Sequence, residues 1–492
     1  MKKNPLRTSL PLFAALLCLQ AAARSEAASI VDGLDRTVVV TGAEAGGLLG
    51  QPASDIRLYR HRDGGWEPVP FQIDETDGSG SLEGTKNGIL DPSDEIVFLA
   101  KDAGDEASTD EWPDNAEARA NPRFRLAVTD PARPAWAGTV YAFLSPTLPL
   151  SDIRYVDYDP VQDLVETDRY QIVHGSTHGF QEILKILPGA GGDNIDFLDK
   201  QKLRLKIHIA QVNKDIILRE IMDQDVELIT GFSIRVKVGR KRAVAVQNAV
   251  VRLNRILVMS ISARGSFLGN DVGFSDSLSF RTVYEPTASW LNIGPIPVPD
   301  ADEFDPLAVR LSCDWNASAS GMKFYNASNT GGVLINGKAD APESSLPWPG
   351  ENGYLVTADP SGSGAVQNAS VVGIWSLRGN PPGNSHTIYY KDDSSYESSD
   401  TGDKRSYGDF GIQVWQDPMH DTLDVRNTMI YFPSSQTWPQ ADSVVSAWTQ
   451  APVAVASTEK RTLPLVVTVV PADAGTVTVE PEGAAYPDST VT

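Results

Sequence analysis

LRLKIHI, residues 203–209, alternates Leu203, Leu205, Ile207 and Ile209 with Arg204, Lys206 and His208. A period of two sends successive side chains to opposite faces of a β-strand, so this segment predicts one apolar and one basic face. SIRVKV, residues 233–238, repeats the pattern, with Ile234, Val236 and Val238 against Arg235 and Lys237. A tight turn is expected at Gly239-Arg240-Lys241-Arg242. The segment that follows, AVAVQNAVVRLNRILVMSIS (243–262), is too long and too β-branched to read better as a helix. The stretch is sheet.

Residues 200–264 carry 14 Lys and Arg against 5 Asp and Glu, a net of +9 in a chain whose formal net charge is −22. A cationic face of this kind concentrates a counter-charged ligand. The acidic balance of the whole chain speaks against general nucleic-acid binding, so the expected partner is an extracellular acidic polysaccharide held by Arg204, Lys206, His208, Arg235 and Lys237. The competing reading is a solvated strand face balanced by the protein's own carboxylates, which is ordinary on the wet side of an antiparallel sheet.

Working outward, 492 residues are too many for one core and predict several domains. Residues 1–27 read as a secretory signal peptide: Lys2, Lys3 and Arg7, an apolar run, then small residues around Ala23 and Ala27. The expected location is therefore secreted or at the cell surface. No later segment has the apolar length of a membrane span. With Cys18 in the leader, Cys313 is the one cysteine left, which excludes an intramolecular disulfide and a cysteine-pair metal site. Its strand context predicts a buried, inert thiol.

The fold class expected is all-β and multidomain. An N-terminal β-sandwich should occupy 28–147, with its clearest hairpin turn at Asp63-Gly64-Gly65. A larger two-sheet β-sandwich should occupy 152–435, followed by a Ser-, Ala-, Pro- and Thr-rich linker at 436–462 and an incomplete β-repeat at 463–492. VPFQIDETD (69–77) with ILDPSDEIVFLAKDAG (89–104) resembles an N-terminal module of secreted bacterial proteins, some of which stand beside polysaccharide-degrading domains. The last 30 residues resemble the opening of a divergent internalin-type bacterial repeat, through Ala474-Gly475-Thr476-Val477, Pro481, Gly483, Tyr486 and the Thr-Val-Thr ending. That resemblance implies a stalk or adhesive spacer on a surface protein.

Chemistry has few places to sit. The six histidines are at 61, 174, 178, 208, 386 and 420. DRYQIVHGSTHGFQE (168–182) gathers Tyr170, His174, His178 and Glu182. As general bases, Tyr170, His174 or His178 would serve a polysaccharide lyase, removing the proton beside a uronate carboxylate that a cation neutralises. His-x3-His spacing also suits a metal on a helix, but Gly175 and Gly179 favour a loop. Asp74, Asp77, Asp91 and Asp94 lie in an acidic, Gly- and Ser-rich stretch and are the candidate Ca²⁺ ligands. Trp348 and Trp415 are candidate sugar platforms, with core packing as the commoner fate of Trp. Serine-hydrolase, phosphate-loop and dinucleotide motifs are absent. Three functions remain: binding, and if catalytic cleaving, an acidic polysaccharide; a non-catalytic surface or adhesion scaffold that binds other proteins; or a metal-dependent hydrolase using His174 and His178.

Overall fold

The computed structural model describes residues 35–77, 82, 86–209, 213–219, 222–229, 232–267, 270–293, 304–343, 352–378, 385–397, 404–415 and 424–461. The expected signal peptide (1–27), Trp348, His420 and the segment expected to be a repeat (463–492) lie outside the described residues. Within them the protein is all-β, built from antiparallel sheets in two compact units, with α-helices at Ala116–Ala120 and Trp438–Trp448.

One unit comprises residues 35–154 together with 449–461. Strands Thr37–Thr41, Glu95–Leu99 and Phe71–Asp74 form a three-stranded sheet. A five-stranded sheet runs in the order Val453–Glu459, Arg123–Thr129, Ala137–Leu144, Ile56–Arg62, Gly65–Pro68. Alternation places Val38, Val40, Ile96 and Phe98 of the first against Leu58, Leu126, Val128 and Val140 of the second in one core, so the unit is a sandwich. The hairpin turn is as expected: Arg62 pairs with Gly65, and the two loop residues Asp63 and Gly64 both take positive φ, 51° and 74°, which a two-residue turn of this hand requires.

The stretch 436–462 is not an extended linker. Thr437 opens the Trp438–Trp448 helix with a capping box, its N–H and hydroxyl both donating to Gln440 Oε1 at 2.8 and 3.0 Å, and Ala441, Val444 and Ala447 form its buried stripe. Val453–Glu459 then completes the N-terminal sandwich by pairing along Arg123–Thr129, from Val453 opposite Thr129 to Glu459 opposite Arg123. Composition hid a four-residue cap signature and a short strand.

The other unit, described over residues 155–448, has two main sheets. A five-stranded sheet runs Lys214–Arg219, Leu198–Ile209, Phe304–Trp315, Lys404–Trp415, Ser385–Glu397. The ten-stranded sheet begins with Met222–Ile229, Phe232–Ala249, Leu253–Phe267, Asn270–Tyr284 and Ala288–Ile293, then passes through Asp424–Phe432 and Ser370–Arg378 to its far edge. Leu203, Leu311, Phe410 and Ile412 of one sheet and Val236, Leu257, Phe280 and Met429 of the other share a single core. A small sheet of Gln181–Ile186, Tyr170–His174, Leu164–Glu166 and Asp157–Asp159 adds Ile172 and Leu184 to it.

Two details of the basic stretch differ from expectation. It does not form one sheet: Leu198–Ile209 belongs to the five-stranded sheet, whereas Phe232–Ala249 and Leu253–Phe267 belong to the ten-stranded one. Gly239 to Arg242 is also not a turn but lies inside Phe232–Ala249, where register shifts flank Lys241. A bulge absorbs the residues that local composition assigned to a hairpin.

Candidate functional site

The Tyr170–His174 strand alternates buried and half-buried positions, so Tyr170, Ile172 and His174 all point inward. The strand returns as Gln181–Ile186 through a loop in which Gly179 has φ +78°, and a Cβ there would meet Leu257 Cδ1 at 2.5 Å. Only glycine fits that approach.

His174 is the centre of a buried network. Its Nδ1 lies 2.7 Å from the Asp163 carbonyl oxygen, an acceptor, so Nδ1 carries the proton and Nε2 accepts from the Tyr284 hydroxyl. Gln181 Nε2 in turn donates to the Tyr284 oxygen at 3.4 Å. Asp163, held at φ 49°, receives Arg255 through Nε at 3.0 Å and Nη2 at 2.7 Å, and the Tyr158 hydroxyl at 2.9 Å. Burial pushes the Tyr284 hydroxyl up to about 12, against the opposing pull of Arg255, and burial with the Asp163 hydrogen bond drives Tyr158 up as well. Both phenols are neutral donors at physiological pH.

The other members of the histidine cluster have separate partners. Tyr170 is fully buried, and its hydroxyl donates to Glu285 O at 2.8 Å, with Ala288 O at 3.0 Å. His178 accepts the Phe180 N–H on Nδ1 at 3.0 Å and donates from Nε2 to Glu182 Oε1 at 2.8 Å. The two imidazoles are thus engaged in different networks. Among the described residues no three His, Cys, Asp or Glu side chains gather as a metal site.

The candidate polymer-binding residues divide. Arg204 is buried and donates to the Leu203 carbonyl, and Lys206 is half-buried. Arg235 and Lys237 are exposed, opposite Asp225 and Asp223 on one neighbouring strand, while Arg235 also faces the exposed Arg264 on the other. His208 occupies a strand position opposite Asp215 and Asp305, and Trp415 one opposite Ala308 and Ser385. Arg252 and Arg255, from the same basic stretch, are buried. The structure does not gather these cations on one face.

The acidic candidates serve local structure. Asp94 accepts the Thr76 and Asp91 N–H groups at 2.9 and 2.7 Å, and Asp91 accepts the Asn87 amide at 2.6 Å. Burial raises the Asp94 carboxyl despite those bonds. Buried Asp74 accepts from Gln72 at 2.7 Å, and Asp77 is exposed. Cys313 is buried, and burial pushes its thiol far above the ordinary range, as its strand context predicts.

Sequence reasoning missed Asp163, Tyr284 and Arg255 as companions of His174, and a second buried group, Lys202 between Asp314 and Asp409. No local spacing announces them: Tyr284 is 110 residues from His174, and Arg255 is 92 from Asp163.

No family model matches the chain, and no curated protein matches it. Solved structures that align with it include that of an amine oxidase from Aspergillus nidulans, at 9% identity over 66% of this chain and 60% of that one, with a TM-score of 0.24. This chain therefore spans less than two thirds of that protein, and a likeness so distant carries no statement about chemistry.

Proposed function

We propose that this protein is a non-catalytic β-scaffold of the cell exterior whose partners are other proteins. One observation carries the reading: the groups best suited to general-base work are sealed inside and fully engaged with the protein itself. His174 is 3% exposed and bonded at both ring nitrogens, and the Tyr170 and Tyr284 hydroxyls are 0% exposed and bound to internal partners. A lyase base must reach the substrate proton within hydrogen-bond distance. The external location rests on the leader-like first 27 residues and on the resemblance of the terminal segment to a surface-protein repeat.

The test is incubation of the purified full chain with a panel of uronate polymers, following the ultraviolet absorbance of unsaturated products. The scaffold reading expects none. Product formation that disappears in His174→Ala or Tyr284→Phe, with the fold retained, overturns it. A second reading keeps the exposed Arg235, Lys237 and Arg264 as a binding face for an anionic polymer. It is favoured by the exposure of Arg235, Lys237 and Arg264 together on two paired strands. It expects salt-sensitive retention on such polymers that Arg235→Glu abolishes.

A further inference from the structure

Three adjacent strands of the five-stranded sheet bring one lysine and two aspartates together out of reach of water. Lys202 on Leu198–Ile209, Asp314 on Phe304–Trp315 and Asp409 on Lys404–Trp415 are 0%, 1% and 0% exposed. Lys202 Nζ lies 2.6 Å from Asp314 Oδ2 and 3.1 Å from Asp409 Oδ2. Lys202 pairs with Ser312 and Lys200 with Asp314, so Asp314 lies diagonally across from Lys202 on the same face of the sheet. Its other oxygen, Oδ1, accepts the Tyr407 backbone N–H at 3.2 Å. Asp409 Oδ1 has no hydrogen-bond partner.

An ordinary buried ion pair has one cation for one anion, and its desolvation cost is already hard to offset. Here two carboxylates share one ammonium, so the fully ionised triad carries an uncompensated negative charge. Taking up one proton removes that charge. The protonated triad then has an arrangement, amine with two carboxylic acids, in which no ion is buried at all. Burial and the neighbouring Asp409 charge both push the Asp314 carboxyl up, in the direction that favours this uptake. A neutral amine held in contact with a carboxylic acid in a sealed site is the reactant pair of an amide condensation, with the entropy of encounter already removed.

We propose that Lys202 and Asp314 form an intramolecular isopeptide bond, with Asp409 as the acid that shuttles the protons. The Lys202 nitrogen attacks Asp314 Cγ, and the Tyr407 N–H faces the oxygen on which negative charge develops. Protonated Asp409 delivers its proton to the departing oxygen and takes up one from the new ammonium centre. The Cγ–O bond breaks, the Cγ–N bond remains and one water leaves. Ammonium plus carboxylate has become amide plus water, with no change of oxidation state and no outside reactant. The bond would lock Leu198–Ile209 to Phe304–Trp315, strands more than a hundred residues apart in sequence and adjacent in the sheet. The inference stands apart from the scaffold reading, since a catalytic chain would carry the same cross-link.

Mass spectrometry of the denatured, proteolysed full chain tests it directly. The expected result is a branched peptide joining the segments around Lys202 and Asp314, lighter by one water than the sum of the two. Recovery of both segments only as separate linear peptides of unmodified mass from the folded wild-type protein overturns the proposal without any variant. Asp409→Asn keeps both reacting groups, so it is expected to yield the linear peptides, and a branched peptide from that variant would overturn the role given to Asp409.

Discussion

Arg123→Met tests whether the N-terminal sandwich is closed by a strand from the far end of the described chain. Arg123 is fully buried. Its Nε donates to Glu459 at 2.7 Å, Nη1 to Glu111 O at 2.6 Å, and Nη2 to Ala107 O and Ser108 O at 3.1 and 3.0 Å. The guanidinium also lies 4.4, 5.2 and 5.7 Å from the ring centroids of Tyr141, Trp112 and Trp66. Methionine keeps most of the volume against those rings and removes every donor. Hydrogen bonds to a charged group contribute about 1.5–3 kcal/mol each, but four on one group do not add. Glu459, whose side chain is 21% exposed, and the carbonyl of exposed Ser108 regain some hydration, whereas the carbonyl of buried Ala107 does not. Loss of one partner from a buried pair costs about 3–5 kcal/mol, the magnitude expected here, or on the order of 10 °C in a unit of this size. Calorimetry of the full chain reads the shift, and amide hydrogen exchange localises it to Val453–Glu459 and Arg123–Thr129. A cost below about 1 kcal/mol, typical of an exposed pair, or unchanged protection of Val453–Glu459, would refute the reasoning.

In the larger unit, Tyr284→Phe removes the hydroxyl between His174 and Gln181, leaving buried polar atoms unsatisfied; a loss of about 1–3 kcal/mol in urea unfolding is expected. Asp359 is held down to about 2 from its ordinary 3.8, by the Ser361 hydroxyl first and then by Lys323. A depressed carboxyl stabilises the fold above its unfolded value and loses that contribution as pH falls through the folded one. Asp359→Asn should therefore flatten the acid limb of the stability curve between 3.8 and about 2 in a pH titration of unfolding. Gly373 faces Tyr354 across the paired strands, and a Cβ there would stand 1.7 Å from the ring, whereas one at Gly189 meets nothing within 4 Å. Gly373→Ala should lower thermal stability clearly more than Gly189→Ala, and equal shifts would count against this cross-strand contact.

Period-two alternation was enough to read what each strand does to its own side chains. It put Leu203 on the apolar face that the structure buries, while the Asp63-Gly64-Gly65 hairpin was legible from its turn residues. It could not say what covers a strand's other face. Lys202, Arg204 and Lys206 share a face by spacing, yet Lys202 is 0% exposed and Lys206 is half-buried, because partners from other strands, Asp314 and Asp409 at Lys202, fold over one and not the other. Of the network around His174 only the histidine itself was legible, since Asp163 stands 11 residues upstream of it and Arg255 and Tyr284 arrive from distant segments. The same limit explains the charge argument. The surplus of +9 in residues 200–264 is a sum over sequence, and an external field requires a sum over surface. Lys202, Arg204, Arg252 and Arg255 are all buried, so they belong to the interior's charge balance and not to the field a polymer would meet. A buried cation needs carboxylates brought to it from other strands, which is where part of the acidic remainder of this chain has gone: Asp163 to Arg255, and Asp314 with Asp409 to Lys202. Charge segregated along the sequence is here partly charge paired in the fold, and the exposed residue of it is confined to Arg235, Lys237 and Arg264 among the side chains described on those strands.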